Sequence, residues 1–418
     1  MKNDQLSIAM LSIHSNPIGE LGTKDTGGMS VYIRELACEL GKRGHRIDIY
    51  TRLQNGDYKP VIQLFDNVRL IHLGISNNGT LSKLALYPYL PDFFQSLEDF
   101  RSHEGLKYDL IHSHYWMSGR LGTWAQNHWN RPHVLMLHTL GEEKNRTGVG
   151  MREPDLRIAV EKELAKTCHR ILAPTDREKD SLIRFYGAPE QKIGVVPCGV
   201  NLELFHPADK VAARKRLGYD PDDIILLYVG RFEPLKGLDR LFHAMTYLRN
   251  HLKLRLLIVG GDGEEAPESQ YLRQKTRNLG IEDKVTFSGR IEQKYLPPYY
   301  GSADVLVMPS HYESFGLVGL EALACGRPVV SAPVGAMECL IKESRAGLVV
   351  DHSLPQSLAS GIESMINNFP LPSAQKIRKS VLEYSWSNVA ENILEEYESV
   401  LARQSSEYNR LISDKATC

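Results

Sequence analysis

The sequence predicts an α/β protein of two Rossmann-like domains, each built on a parallel sheet. Three observations carry that prediction. Short runs of bulky apolar residues, bounded by Gly, Pro, Ser or Thr, alternate with amphipathic helical patterns along almost the whole chain; strands buried on both faces and their crossover helices read this way. The alternation stops once, in the turn-rich segment Val196–Pro207 and the charged stretch that follows it to Asp223, and then restarts. The chain has 418 residues, too many for one ordinary core but enough for two of roughly 200 residues each.

The elements follow in order. In the first half, strands are predicted at Ser7–Ser12, Arg46–Thr51, Val68–Leu73, Leu110–His114, His133–His138, Arg170–Ala173 and Ile193–Val196, with helices such as Ser30–Arg43 and Asp155–Thr167 between them. After the break the strands are Ile224–Val229, Arg255–Val259, Lys284–Phe287, Val305–Met308, Pro328–Ser331 and Gly347–Val350. Strand, helix, strand in succession gives parallel neighbours. A final helix at Trp386–Arg403 has an apolar face, with Val389, Ile393, Tyr397 and Val400, and no strand after it, so it must pack on a domain already formed. The expected division is an amino-terminal domain over residues 1–205, a carboxyl-terminal domain over 206–385, and a terminal segment 386–418 returning to the first domain.

Composition removes several function classes. Basic and acidic residues balance, 25 against 23 over residues 1–200 and 25 against 28 over the remainder, so neither nucleic acid nor an anionic membrane is an expected main partner. Phosphate chemistry must therefore rest on locally placed cations. The six cysteines show no Cys-x-x-Cys spacing, which suits reduced thiols in a cytoplasm better than a disulfide framework or zinc knuckle. The apolar run Leu6–Leu11 is too short for a signal-peptide core or a bilayer span and reads as a first strand.

In open α/β sheets ligands sit beyond the carboxyl ends of the strands, so the residues after each strand are the candidates. After Ile224–Val229 comes Gly230-Arg231-Phe-Glu-Pro-Leu-Lys236-Gly237; two cations five residues apart on one loop can both face a diphosphate, although a basic strand-end residue is often merely solvated. After Val305–Met308 comes Pro309-Ser-His-Tyr-Glu313-Ser-Phe315-Gly316-Leu317-Val-Gly319-Leu-Glu321, whose glycines allow close approach and free N–H groups at a helix start. A glutamate near a helix start can be a plain dipole partner. Glu321 tells against that, because it lies among Leu317, Val318, Leu320, Ala322 and Leu323, where a carboxylate needs a partner. His112-Ser-His114 can be read as two metal ligands on one strand face or as histidines lining a cleft, and the absence of a third suitable ligand nearby favours the cleft. Asp220-Pro-Asp222 precedes a strand and reads as a solvated turn. Val259-Gly260-Gly261-Asp-Gly263 lacks the third glycine of a dinucleotide fingerprint and suits a tight turn beneath a base.

Together, Gly230-Arg-Phe-Glu-Pro-Leu-Lys-Gly, Val259-Gly-Gly-Asp-Gly-Glu and the pair Glu313 and Glu321 separated by seven residues resemble the retaining glycosyltransferases of family 4, which have the GT-B fold. Asp25-Thr-Gly27-Gly28-Met-Ser, Tyr108-Asp-Leu-Ile-His-Ser-His114-Tyr115-Trp and His138-Thr139-Leu-Gly extend the likeness over nearly the whole chain. It is strongest toward the branch holding the mycothiol-pathway glycosyltransferase, which acts on inositol phosphate, and the sucrose-phosphate synthases. The resemblance implies that Arg231 and Lys236 hold the donor diphosphate, Glu313 the donor sugar and Glu321 the ribose. It further implies that Gly27 and Gly28 close on the donor, that Arg290, Phe315, Gly316 and Leu317 complete its site, and that His138 contacts the transferred sugar. Lys83, Tyr115, Thr139 and Arg157 match the contexts that clamp an acceptor phosphate in relatives. From the residues alone, Arg157 is equally a helix residue pairing with Glu161 at i+4.

The expectation is a UDP-sugar-dependent retaining hexosyltransferase using UDP-glucose or UDP-N-acetylglucosamine and a soluble phosphorylated acceptor. It needs no cofactor or divalent metal, since Arg231 and Lys236 supply the charge, and relatives include homodimers. A lipid or polysaccharide acceptor, an acceptor-free isomerase on a UDP-sugar, and a nucleotide-sugar sensor without turnover are the competing readings.

Overall fold

The computed structural model describes residues 5–19, 26–53, 59–75, 82–263, 265–350, 354–367 and 370–416. Asp25 and residues 76–81 lie outside them, and side chains beyond Gln404 are not described. Among the described residues the chain forms two sheets. The amino-terminal sheet holds β1 (Ser7–Leu11), β2 (Arg46–Arg52), β3 (Val61–Phe65), β4 (Val68–Leu73), β5 (Leu110–His114), β6 (His133–Met136), β7 (Arg170–Ala173) and β8 (Ile193–Val195), in the order β3-β4-β2-β1-β5-β6-β7-β8. The carboxyl-terminal sheet holds β9 (Ile224–Val229), β10 (Leu254–Val259), β11 (Val285–Phe287), β12 (Val305–Met308), β13 (Val329–Ser331) and β14 (Gly347–Val349), in the order β11-β10-β9-β12-β13-β14. Helices cover both faces, so β5, β6 and β12 are buried at every residue. This is the two-domain GT-B arrangement.

One strand departs from the expected all-parallel pattern. β3 runs antiparallel to β4 at the sheet edge, with a bulge between Gln63 and Phe65. It is half-buried, and Gln63 interrupts its apolar residues, Val61, Ile62, Leu64 and Phe65. Its signal was instead the tight turn at Asp66-Asn67, where Asn67 takes φ 61°, a left-handed position that asparagine tolerates. The strand expected at His133–His138 stops at Met136, because His138 adopts φ 59° and swings the chain out of the sheet.

The last helix, Trp386–Ala416, runs further than its apolar face indicates. Its described part lies on the amino-terminal domain. Val389, Ile393, Tyr397 and Val400 are buried, and Arg170 of β7 makes a two-pronged contact with Glu396 at 2.5 and 2.9 Å. Gly194 of β8 is glycine for the same reason: a Cβ there would run into the Glu396 carboxylate. Inside, the Tyr397 hydroxyl bonds His112 Nδ1 at 2.7 Å. Burial lowers the His112 pKa to about 3, so the ring is neutral. The histidine at the core of β5 thus anchors the terminal helix. Replacing Tyr397→Ala should lower the unfolding free energy in urea by about 3–5 kcal/mol, and Tyr397→Phe by about 1 kcal/mol. Equal losses for the two substitutions would refute a packing-dominated anchor.

Candidate active site

Strand order reverses direction at β1/β5 in the first sheet and at β9/β12 in the second. Crevices open beyond the carboxyl ends of strands at such points. Here the two crevices face one another and enclose a single cavity of about 370 Å³ lined from both domains.

The carboxyl-terminal side is built on three loops. Arg231 follows β9 and bonds Glu233 at 2.8 Å. Lys236 closes the same loop, and Gly237 after it takes φ 72° with its α-carbon against the Pro309 carbonyl, where any Cβ would collide. That contact presses the β9 loop onto the β12 loop. Across it, Lys236 Nζ meets both oxygens of Glu313, at 2.7 and 2.8 Å, and Ser310 Oγ donates a third bond to Glu313 at 2.8 Å. The helix Leu317–Ala324 starts at Gly316, whose φ of 102° and contact with Met308 and Met337 leave no room for a side chain. Glu321 lies one turn in, buried, and accepts bonds from Tyr300 at 2.6 Å and Gln293 at 3.1 Å. These are the partners its apolar neighbours demanded. Burial raises its pKa to about 7, against the pull of those two bonds.

The amino-terminal side is cationic. Tyr115 follows β5 at φ 77°. Its ring lies between Lys83, whose Nζ is 5.4 Å from the centroid, and Arg157, whose Cζ is 4.8 Å away, while His14 packs on it at 4.2 Å. Arg157 is almost wholly buried. It bonds Glu161 at 2.6 Å, Glu153 at 3.0 Å, and the carbonyl and hydroxyl oxygens of Thr139 at 2.7 and 3.0 Å. The pairing with Glu161 at i+4 therefore exists, but inside the domain and not on a surface helix face. His138 Nε2 bonds His114 Nδ1 at 2.9 Å, and burial lowers its pKa to about 3. The ring is therefore neutral.

Nearly all the sequence-predicted residues line this one cavity: Gly27, Gly28, Lys83, Tyr115, His138, Thr139, Arg231, Lys236, Arg290, Glu313, Phe315, Gly316, Leu317 and Glu321. Arg157 does not; it stands behind Tyr115 and Thr139 and acts on the cavity through them. His112 and His114 do not line it either, correcting the cleft reading; their rings lie 4.2 Å apart, tilted by 43°, with His114 packed against His138. No group of three metal-ligating side chains occurs among the described residues, and Asp222 pairs with Lys253 on the exposed surface. Sequence reasoning missed Lys144, Tyr312 and Gln293, which also line the cavity. Gln293 accepts a 2.8 Å bond from Arg34 of the amino-terminal domain, and the Tyr312 hydroxyl accepts one from Leu140 N–H at 2.9 Å. Such cross-domain partners have no signature in a local motif.

Residues 26–204 match the family described as Glycosyltransferase Family 4, and residues 209–381 match Glycosyl transferases group 1. A D-inositol 3-phosphate glycosyltransferase from Geodermatophilus obscurus is 35% identical over 416 residues, covering 97% of this chain and 92% of that relative. The chain belongs to glycosyltransferase family 4. D-inositol 3-phosphate glycosyltransferase 2 from Catenulispora acidiphila is 38% identical over 86% of each chain. Among solved structures, sucrose-phosphate synthase from Thermosynechococcus elongatus superposes with a TM-score of 0.81 at 29% identity, over 98% of this chain and 100% of that one. This glycosyltransferase is accordingly an enzyme that uses a nucleotide sugar, and among its described residues no helix is long and apolar enough to cross a membrane.

The Glu321 shift has a measurable consequence in the glycosyltransferase. The unfolded chain releases this proton near pH 4.5, whereas the folded protein holds it to about 7. Stability is therefore fully present below pH 4.5, is lost as pH rises to about 7, and stays lost above. Glu321→Gln removes that loss. Between pH 4.5 and 8, its unfolding free energy in urea should rise relative to wild type by on the order of 2–3 kcal/mol; parallel pH profiles would exclude it.

Proposed function

We propose that the enzyme transfers a hexosyl group, with retention and without a required divalent metal, from UDP-glucose or UDP-N-acetylglucosamine to an inositol phosphate. One observation carries the reading. The cavity joins a donor end, with Arg231, Lys236, Glu313 and Glu321, to an acceptor end, with Lys83, Tyr115 and Thr139 backed by Arg157. Relatives at 35 and 38% identity act on D-inositol 3-phosphate, and the cationic acceptor end suits such a ligand.

The charges define the chemistry. Breaking the bond between the anomeric carbon and the β-phosphate oxygen leaves its electron pair on the diphosphate. In this reading Arg231 and Lys236 meet that charge at the donor end and lower the barrier. Lys236 is held in place by both oxygens of Glu313, whose remaining lone pairs can accept from sugar hydroxyls. The acceptor hydroxyl attacks from the same face as the departing phosphate, and its proton passes to the phosphate oxygen that leaves, so no nucleophilic carboxylate is needed. Neutral His138 offers a hydrogen-bonding ring beside the reacting carbon and adds no positive charge that would oppose the developing oxocarbenium.

Three measurements test this. UDP release should proceed with UDP-glucose or UDP-N-acetylglucosamine plus inositol phosphate in EDTA, and an absolute requirement for added divalent metal would refute the metal-free step. Arg231→Ala and Lys236→Ala should each reduce kcat by about 10²- to 10³-fold, with a much smaller change in acceptor KM. Lys83→Ala should raise KM for inositol phosphate by roughly tenfold, about 1.4 kcal/mol, while UDP binding stays at the wild-type level.

A further inference from the structure

The helix Asp176–Tyr186 of the amino-terminal domain opens with Thr175-Asp-Arg-Glu178, the spacing of a capping box. Half of the box is made: Thr175 Oγ accepts from the Glu178 N–H at 3.1 Å. The other half is not. Among the described residues Glu178 Oε1 has no hydrogen-bond partner, and Oε2 accepts from Ser314 Oγ of the carboxyl-terminal domain at 2.5 Å. The carboxyl is turned away from its own helix and onto the opposite domain. Ser314 directly follows Glu313, the partner of Lys236. The contact lies on the wall of a second cavity of about 250 Å³ between the domains, which shares Tyr312, Glu313 and Ser314 with the first.

Glu178 is 5% exposed, and the charged groups acting on it are acids: Glu161 of the helix Asp155–Thr167 and Glu143 of the helix Gly141–Arg146. The cations on these elements face other partners. Arg157 pairs with Glu161 and Glu153, Arg146 with Glu142, and Arg177 with the Pro333 carbonyl and Glu338. On the opposite side His311 is bonded to Arg240 and Glu313 to Lys236. The Tyr312 hydroxyl and the Cys198 thiol are held neutral, their pKa pushed up by burial first and by Glu178 after it. An ionised Glu178 would thus be buried with one hydrogen bond, no cation and two acidic neighbours, which is strongly disfavoured. Burial raises its pKa to about 8 against the pull of the Ser314 bond, and Glu161 and Glu143 add to the rise. A neutral carboxyl inside one domain would bear on folding alone. This one is buried between two domains, so its charge is linked to their contact.

We propose that Glu178 is a positioning residue at the domain seam: uncharged, it docks on Ser314 and holds the loop that carries Glu313, so that closing the cavity takes up one proton. With the domains apart, the carboxyl returns to water and its ordinary value of 4.5. The contact is therefore at full strength below that value, weakens as pH rises to about 8, and stays weak above. The test follows the radius of gyration of the full chain by X-ray scattering, and kcat/KM for transfer from the UDP-sugar to inositol phosphate, from about pH 5.5 to 9. It compares wild type with Glu178→Gln, which has the same shape and no charge at any pH. Wild type should expand as pH rises toward 8, whereas Glu178→Gln stays compact. The ratio of variant to wild-type kcat/KM should climb roughly tenfold or more over that interval and level off above it. Glu321 titrates in both proteins and drops out of the comparison. Ser314→Ala removes the bond and keeps the carboxyl, and should be more expanded than wild type already at about pH 5.5. Equal scattering profiles of wild type and Glu178→Gln, a rate ratio constant with pH, or a wild-type profile in Ser314→Ala overturns the inference. Scattering needs no substrate, so a chain that transfers nothing to inositol phosphate overturns the acceptor reading alone, and the scattering profiles still decide this one.

Discussion

The site exists because two parallel sheets each reverse strand order once, and the two reversals face each other. At β1/β5 and β9/β12 the chain leaves adjacent strands in opposite directions, so no crossover helix can cover the gap. Much of the cavity's polar lining comes from what the sequence places after those four strands: His14 after β1, Tyr115 after β5, Arg231 and Lys236 after β9, Glu313 after β12. One of these turns, and the turn after β6, put a strained backbone on a side chain that lines the cavity. Tyr115 and the nearby His138 take φ of 77° and 59°, positions that glycine would occupy without cost. Glycine could not have supplied the ring.

Charge is then distributed by burial. The carboxyl-terminal side keeps its cations partly exposed, with Lys236 held by Glu313 in a two-pronged bond and Arg231 paired with Glu233. At the acceptor end Arg157 is sunk behind Tyr115, and its desolvation is offset by Glu161 and Glu153. Removing either carboxylate would leave a buried guanidinium underpaired, so the geometry of Thr139 depends on groups that no substrate touches. The histidines nearby are kept neutral by the same burial, which confines positive charge at this end to lysine and arginine.

Much of this was legible in the sequence, for definable reasons. Strands buried on both faces announce themselves as apolar runs, and all the strands predicted that way were found; the missed β3 is an antiparallel edge strand, half-exposed, with its evidence in the Asp66-Asn67 turn. Site residues that follow strands directly, or sit on glycine-rich helix starts, were equally readable, because strand ends and glycines mark where a chain can meet a ligand. Lys144, Tyr312 and Gln293 were not. Their meaning comes from residues more than a hundred positions away, or, for Lys144, from a carboxylate whose other oxygen serves Arg157. Arg157 illustrates the same limit in reverse: its i+4 pair with Glu161 exists but is buried, since spacing predicts a pair but not its depth.

One side chain links the amino-terminal domain directly to Glu321. Gln293 accepts a bond from Arg34 with its carbonyl and donates another to Glu321 with its amide, so a single planar group spans from the amino-terminal helix Gly28–Lys42 to the carboxylate expected at the ribose. An amide cannot keep both bonds if the two domains shift apart by more than about the tolerance of a hydrogen bond. On the same edge, Leu317 lies so close to Gly28 that a Cβ there would press on it at 3.1 Å. Glycine at position 28 is thus explained by the domain contact and not by helix geometry, since a first helical residue has no need of it. The Arg34–Gln293–Glu321 chain and the Gly28–Leu317 contact lie on one seam between the domains.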